Sequence, residues 1–135
     1  MGRLTAHIWV TNLLEPGRVI ECDALVDTGS AHLVFPIAWQ ERLGKLNVAR
    51  EIECVTATQQ TARGQVCGPV EIRIEGFAPV FGEVLFLDMA AKDGHYEPLI
   101  GHIPLEASQA AVDMLGHRLL HVKTVDLKPL GRPGF

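Results

Sequence analysis

Residues 24–36 read Ala24-Leu25-Val26-Asp27-Thr28-Gly29-Ser30-Ala31-His32-Leu33-Val34-Phe35-Pro36, and the reading of the whole chain turns on them. An apolar strand stops at a short polar run, Asp27-Thr28-Gly29-Ser30, and an apolar run, Leu33-Val34-Phe35, then resumes. Gly29 permits close backbone approach, and the hydroxyls of Thr28 and Ser30 can tie down a tight loop, so Asp27 is expected to hold a carboxylate at a strand end. Taken alone, Asp-Thr-Gly-Ser is an ordinary turn. Its surroundings give it weight.

Upstream, Leu4 to Thr11 and Arg18 to Val26 are rich in apolar and β-branched residues, with Glu15-Pro16-Gly17 as turn chemistry between them, which predicts a β-hairpin. Downstream, Pro36 opens a short helix, Ile37 to Leu43, that stops at Gly44. Glu51 to Thr58 and Val66 to Glu75 read as strands, joined by a polar hairpin loop, Gln59-Gln60-Thr61-Ala62-Arg63-Gly64. Phe77 to Leu87 adds one or two strands around Pro79 and Gly82. A loop, Ala90 to Pro98, with a turn at Lys92-Asp93-Gly94, leads to Leu99-Ile100-Gly101. Beyond Pro104, Leu105 to Leu115 has helical propensity with Gly116 as its cap, and His117 to Val125 returns to a strand pattern. The expected fold is mostly β with one or two short helices, a single domain over residues 4–125 followed by a loose tail, 126–135, rich in Pro and Gly.

Composition bounds the function. With 135 residues, 47% hydrophobic and 21% charged, the chain suits one globular domain whose core needs no disulfide or metal. A net charge of -4 without a basic run speaks against a nucleic-acid partner. The longest apolar stretches, such as Val84-Leu85-Phe86-Leu87, fall far short of the ~18–20 residues that cross a bilayer, and the first residues lack an apolar signal segment, so no membrane is expected and the cytoplasm is the expected place. Cys22, Cys54 and Cys67 are an odd number without metal-type spacing, which fits buried thiols in a reducing compartment. His117 and His121 are four apart but fall on a strand pattern with no third ligand, so no metal is expected. Glu51 with Glu53, and Glu71 with Arg73 and Glu75, alternate as a solvated sheet face does. Trp9, Val34 and Ile100 suit either a pocket or the core.

The order of strand, Asp27-Thr28-Gly29-Ser30, strand, hairpin, then Leu99-Ile100-Gly101 opening a helix resembles the retropepsin family of aspartic proteases, the retroviral-type enzymes and their bacterial and eukaryotic single-domain relatives, and a bacterial-type single-domain relative is expected. Residues 24–36 are similar to the family's active-site segment and Leu99-Ile100-Gly101 to its second signature. The resemblance implies a closed β-barrel, half of an acid protease, that becomes complete as a homodimer. The chemistry needs two carboxylates close enough to share a proton, and this chain carries the motif once, so a C2 partner has to bring the second Asp27. It further implies that Thr28 bonds across the dimer, that Gly29 meets the substrate backbone, and that Ser30 donates to the outer oxygen of Asp27. A hairpin flap would grip an extended peptide or unfolded protein segment as an added strand, with Gln59, Gln60, Thr61 and Gly64 at its tip. The loop has one glycine, Gly64, where retroviral flaps have several. His102 stands where many retroviral enzymes carry an Arg that braces the dimer. No metal or organic cofactor is implied. Two readings stand beside the endopeptidase: a catalytically inactive peptide-binding or dimerisation module of the same fold, and an unrelated ligand-binding β-barrel.

Overall fold

The computed structural model describes residues 3–55 and 59–122. Its first two strands, β1 (Thr5–Asn12) and β2 (Val19–Val26), form the expected hairpin, in register from Thr5 opposite Leu25 to Thr11 opposite Val19. Every second side chain of β1, from Ala6 to Asn12, is buried, because a strand with one face on a core alternates with period two. Asn12 is the polar end of that row. Its amide donates to the carbonyls of Leu43 and Lys45 at 2.9 and 3.0 Å, and its Oδ1 accepts from the N–H groups of Leu14 and Glu15 at 2.8 and 3.2 Å. All the hydrogen-bonding capacity of this fully buried side chain is met, which lets it pin the hairpin turn to the next helix.

Strand β3 (Leu33–Pro36) runs into a 3-10 turn, Ile37–Trp39, and then α1 (Gln40–Leu43), which ends at Gly44 with φ 86°, a left-handed conformation that glycine adopts without strain. Next come β4 (Asn47–Val55), the long β5 (Thr61–Ile74), β6 (Val80–Leu87) and β7 (Leu99–Ile100). Strand β5 makes closure possible. Its register shifts between Cys67 and Val70, a bulge that turns the strand, so its first half pairs with β4 and its second half reaches β1. The order β1-β2-β7-β3-β6-β5, with β5 paired back to β1, is a closed six-stranded barrel, and β4 is added on β5.

Leu33, Phe35, Ile72, Ile74, Val84, Phe86 and Ile100 point inward with Ile8, Val10 and Ile20 and form the barrel core. Each such side chain contributes roughly 1.5–3 kcal/mol by leaving water. The barrel's other face carries a second, smaller apolar cluster: buried Val34, Val66 and Leu85, with Ile52, Cys54, Leu87, Met89 and Leu99 packed against it.

Two expectations are corrected. The polar run Gln59–Gly64 is not all loop: Thr61 to Gly64 belong to β5, paired with Val55 to Ile52, so the turn lies N-terminal of Thr61. Nor is Leu105 to Leu115 one helix. Helix α2 (His102–Ala107) starts three residues earlier and stops at Ser108, whose hydroxyl donates back to the carbonyl of Pro104 at 2.8 Å, and Gln109 takes φ 59°. The chain then forms β8 (Ala110–Asp113), paired with β9 (Arg118–His121) as a separate two-stranded sheet. Here pairing with β9, across the turn at 114–117, overrides the helical preference of Ala110-Ala111-Val112. The tail 126–135 lies outside the described residues.

Candidate active site

Asp27 and its loop occupy a gap that the barrel opens between β2 and β3. These two strands do not pair with each other; the short β7 lies between them, parallel to β2 (Leu25 opposite Leu99, Val26 opposite Ile100) and antiparallel to β3 (Leu33 opposite Ile100, Val34 opposite Leu99). The loop of residues 27–32 therefore has to arch from one side of β7 to the other. Leu99-Ile100-Gly101, far away in sequence, is the floor of that arch.

Backbone hydrogen bonds hold the arch at every step. Asp27 N–H donates to the carbonyl of Ile100 at 3.0 Å, Ser30 N–H to that of Asp27 at 3.1 Å, and Gly29 N–H to the Asp27 carboxylate at 3.1 Å. On the far side, Gly101, His102 and Ile103, where α2 begins, donate their N–H groups to the carbonyls of His32, Ser30 and Ala31 at 2.9, 2.8 and 3.1 Å. The first amides of a helix have no partner within it, and here they find partners in the loop. Gly101 has to be glycine for this contact: a Cβ there would meet the backbone oxygen of Ser30 and sit 2.7 Å from that of His32.

Asp27 is half-buried, Thr28 and Gly29 are exposed, and Ser30 is half-buried. The Asp27 carboxylate, with one oxygen oriented by the Gly29 amide, is thus partly open to solvent at the lip of the loop. The Ser30 hydroxyl does not reach it within this chain, because its contact runs to the carbonyl of His32 at 3.5 Å.

His32, on the same loop, went unremarked in the sequence. Its Nε2 accepts from Arg50 Nη2 at 3.3 Å, and Arg50 pairs with Glu83 at 3.5 Å. Burial and the Arg50 guanidinium push the His32 imidazole below its ordinary value, in keeping with a ring nitrogen that serves as acceptor. The contact joins the loop to β4, and β4 with β5 makes the hairpin expected to be the flap. Gly64 lies where β5 crosses β6, and a Cβ there would come within 2.7 Å of the carbonyl of Phe86. Beyond Gly64 the hairpin carries its own ladder, Glu53 opposite Arg63 to Val55 opposite Thr61, and Asp88 N–H still donates to the carbonyl of Arg63 at 3.1 Å. Gln59, with φ 66°, and Gln60 are exposed beside the turn. The hairpin's Ile52 and Cys54 join Val34, Leu85 and Leu99 in the second apolar cluster, forming an apolar wall one residue from Ile100 and the Asp27 loop. Alternation in the sequence could have pointed to Ile52 and Cys54 as one face, but not to what that face covers.

Among the other residues singled out, Ile100 is core and Val34 belongs to the wall. Trp9 lies on the outer sheet face with the Arg73 guanidinium 3.9 Å above its ring. The thiols are free; burial pushes Cys22 up to about 12 and raises Cys67, so neither is an activated nucleophile. His117 sits in a turn and His121 stacks on Phe77, and no group of three His, Cys, Asp or Glu that could hold a metal occurs among the described residues. Nor is any helix among them long and apolar enough to cross a membrane.

No protein-family model and no curated protein matches the chain. A solved structure of EIAV protease in complex with the inhibitor HBY-793 is similar to it, with a TM-score of 0.52 and 18% sequence identity over 78% of this chain and 86% of that one. At that identity the likeness speaks for architecture, and the closed barrel with its arch over Leu99-Ile100-Gly101 is a retropepsin-like fold.

Proposed function

We propose that this chain is an aspartic endopeptidase of retropepsin type that works as a homodimer, each copy supplying one Asp27. The observation that carries the reading is the arch: a half-buried aspartate in a loop fastened to Ile100, Gly101, His102 and Ile103 by backbone hydrogen bonds, in a barrel similar to that of a retroviral protease. Such fastening holds a catalytic group in place without loop ordering at each turnover.

In this reading the two Asp27 carboxylates lie close enough that they cannot both ionise, and the pair shares one proton. The ionised carboxylate takes a proton from a water held between them as that water attacks the scissile carbonyl. The protonated one donates to the carbonyl oxygen, giving a tetrahedral diol; this collapses as the carboxyl that took the water's proton passes it to the amide nitrogen and the other carboxylate takes back a proton from a diol hydroxyl, releasing the amine and the acid. No acyl-enzyme forms and no cofactor is required. Thr28, exposed beside Asp27, faces the partner; the β4–β5 hairpin closes on an extended peptide, whose side chains meet the half-buried Ile52 and Leu99 at the edge of the second apolar cluster.

The test is digestion of a diverse peptide mixture by wild type and Asp27→Asn, from about pH 4 to 7, the span in which a dyad is singly protonated. The amide keeps the shape but cannot act as base. Cuts made by wild type and lost by at least about 10³-fold in the variant are expected. Equal cutting by both removes Asp27 from the chemistry, and silence from both leaves a peptide-binding or dimerisation module of the same fold.

A further inference from the structure

The two faces of β4 carry unlike charge. Strand alternation puts Glu51 and Glu53 on one face, where Gln65 donates to Glu51 at 3.3 Å and Arg63 pairs with Glu53 at 3.4 Å. The other face carries Arg50, Ile52 and Cys54, the last two packed against the second apolar cluster. The ladder registers set Arg50 at the border of that cluster. It lies opposite Val66, a buried member, and Val66 lies opposite Leu85, another. Glu83 is two residues before Leu85 on the same face of β6, and His32 is two residues before Val34, just ahead of β3. The three meet there, Arg50 Nη2 donating to His32 Nε2 at 3.3 Å and pairing with Glu83 at 3.5 Å. The register of β4 shifts between Val48 and Arg50, a bulge of the kind that re-aims a side chain beside a site.

This trio stays partly open. The side chains of Arg50 and Glu83 are 49% and 42% exposed, and His32 is half-buried. Both contacts of Arg50 run through Nη2, and a guanidinium has three further N–H donors on Nε and Nη1. The charges around the His32 ring sum to a positive field: besides burial, the larger cause, Arg50 and His102 push its pKa down while Glu83 raises it. In a chain of net charge -4 such a spot is a local exception, and it favours an ionised carboxylate.

We infer that Arg50, steadied by His32 and Glu83, is the specificity pocket for an acidic side chain, Asp or Glu, of the bound peptide. The inference rests on the endopeptidase reading, in which the peptide runs over Ile52 and Leu99, and it names the substrate class which that reading leaves open. An extended peptide turns alternate side chains to one face about 7 Å apart, the spacing that also separates Ile52 from Arg50 along β4. One side chain can therefore lie on Ile52 while the next but one brings its carboxylate to the Arg50 fork as a bidentate pair. In a homodimer the two-fold axis between the Asp27 residues sets one Arg50 on each side of the scissile bond. The acidic preference then appears the same number of residues before and after the cut. General attraction by surface charge is no substitute, because the net charge of the chain repels acidic peptides.

The experiment maps cuts in a peptide mixture at about pH 6, where free Glu side chains are ionised. Wild type, Arg50→Gln and Glu83→Gln are compared, and kcat/KM is then measured on two peptides that differ by Glu or Gln at the enriched position. Wild type should favour the Glu peptide by about tenfold or more, and Arg50→Gln should bring the two within about twofold. Glu83→Gln removes a carboxylate that competes for the guanidinium and should keep the preference at wild-type strength or above. A preference weakened there as much as in Arg50→Gln overturns the pocket. So does a rate loss in Arg50→Gln that is equal for the two peptides, which marks Arg50 as a structural tie between arch and hairpin. Cutting without acidic preference, or with one that Arg50→Gln keeps, overturns the pocket and leaves the protease standing. For a chain that cuts nothing, the same mixture is passed over immobilised wild type and Arg50→Gln, and retained peptides are identified by mass spectrometry. Arg50-dependent retention of acidic peptides supports the pocket and counts against the protease, whereas equal retention or none overturns the pocket as well.

Discussion

The Asp27 arch and the β4–β5 hairpin are joined by His32 and Arg50, yet they are held in opposite ways. The arch is fastened by backbone hydrogen bonds to β7 and α2, segments some seventy residues away in the chain, and by a glycine whose missing Cβ lets α2 approach. Beyond Gly64 the hairpin rests on pairing between its own strands, on one backbone bond from Asp88 N–H to the Arg63 carbonyl, and on the side chains of Ala62 and Cys54. A loop fastened by distant segments opens only when the barrel opens, whereas a hairpin with little buried surface can move by itself at small cost. Under the proposed protease reading that division of labour has a use: the carboxylate would stay fixed while the hairpin over the substrate moves.

Three substitutions test the contrast, in order of expected effect. Gly101→Ala forces a methyl group into the backbone oxygens of Ser30 and His32, neither of which can yield without tearing the arch from α2. A loss of about 3 kcal/mol of global stability in urea unfolding is expected, with activity lost alongside. A loss below about 0.5 kcal/mol would mean that the arch is soft. Gly64→Ala meets Phe86 O and the side chains of Leu85 and Leu87 at the hairpin base, where the hairpin can tilt away as a unit. It should cost only about 1 kcal/mol of stability but roughly tenfold or more in kcat/KM, because the cover is displaced relative to Asp27. A stability loss equal to that of Gly101→Ala would erase the distinction between the two regions.

The smallest effect concerns the contact that joins them, His32 with Arg50. Burial and Arg50 lower the folded-state pKa of His32 below its ordinary 6.5, so at intermediate pH the unfolded chain binds more protons than the folded one. Its contribution is present above about pH 6.5 and is lost as pH falls through the lower, folded value. His32→Gln keeps an acceptor for Arg50 and removes the titration, so its urea midpoint should fall less steeply than that of wild type between pH 7 and pH 5. Parallel curves would show that protonating His32 does not disturb the link between arch and hairpin.

Much of the molecule was legible in the chain. The β1–β2 hairpin, the stop of α1 at Gly44 and the strand–Asp27-Thr28-Gly29-Ser30–strand passage all depend on signals within a few residues: alternation, turn chemistry and a left-handed cap. The errors fall where a local signal was weak or misleading. At Ser108–Gln109 the helix ends on a non-glycine residue with positive φ, so the sequence offers Gly116 as the next obvious stop, and the apolar Ala110-Ala111-Val112 run reads as more helix. At Thr61-Ala62-Arg63-Gly64 polar composition suggests loop, although the residues form strand against Val55 to Ile52.

Residues 24–36 and 99–101, taken as sequence, determine that a carboxylate stands at a strand end and that an apolar pair runs into a glycine before a helix; those are properties of neighbouring residues. That Gly101 gives up its side chain for the carbonyls of Ser30 and His32, and that His32 meets Arg50, were decided by the tertiary structure alone. Barrel closure through the bent β5 and the insertion of β7 between β2 and β3 bring together groups that no local periodicity relates.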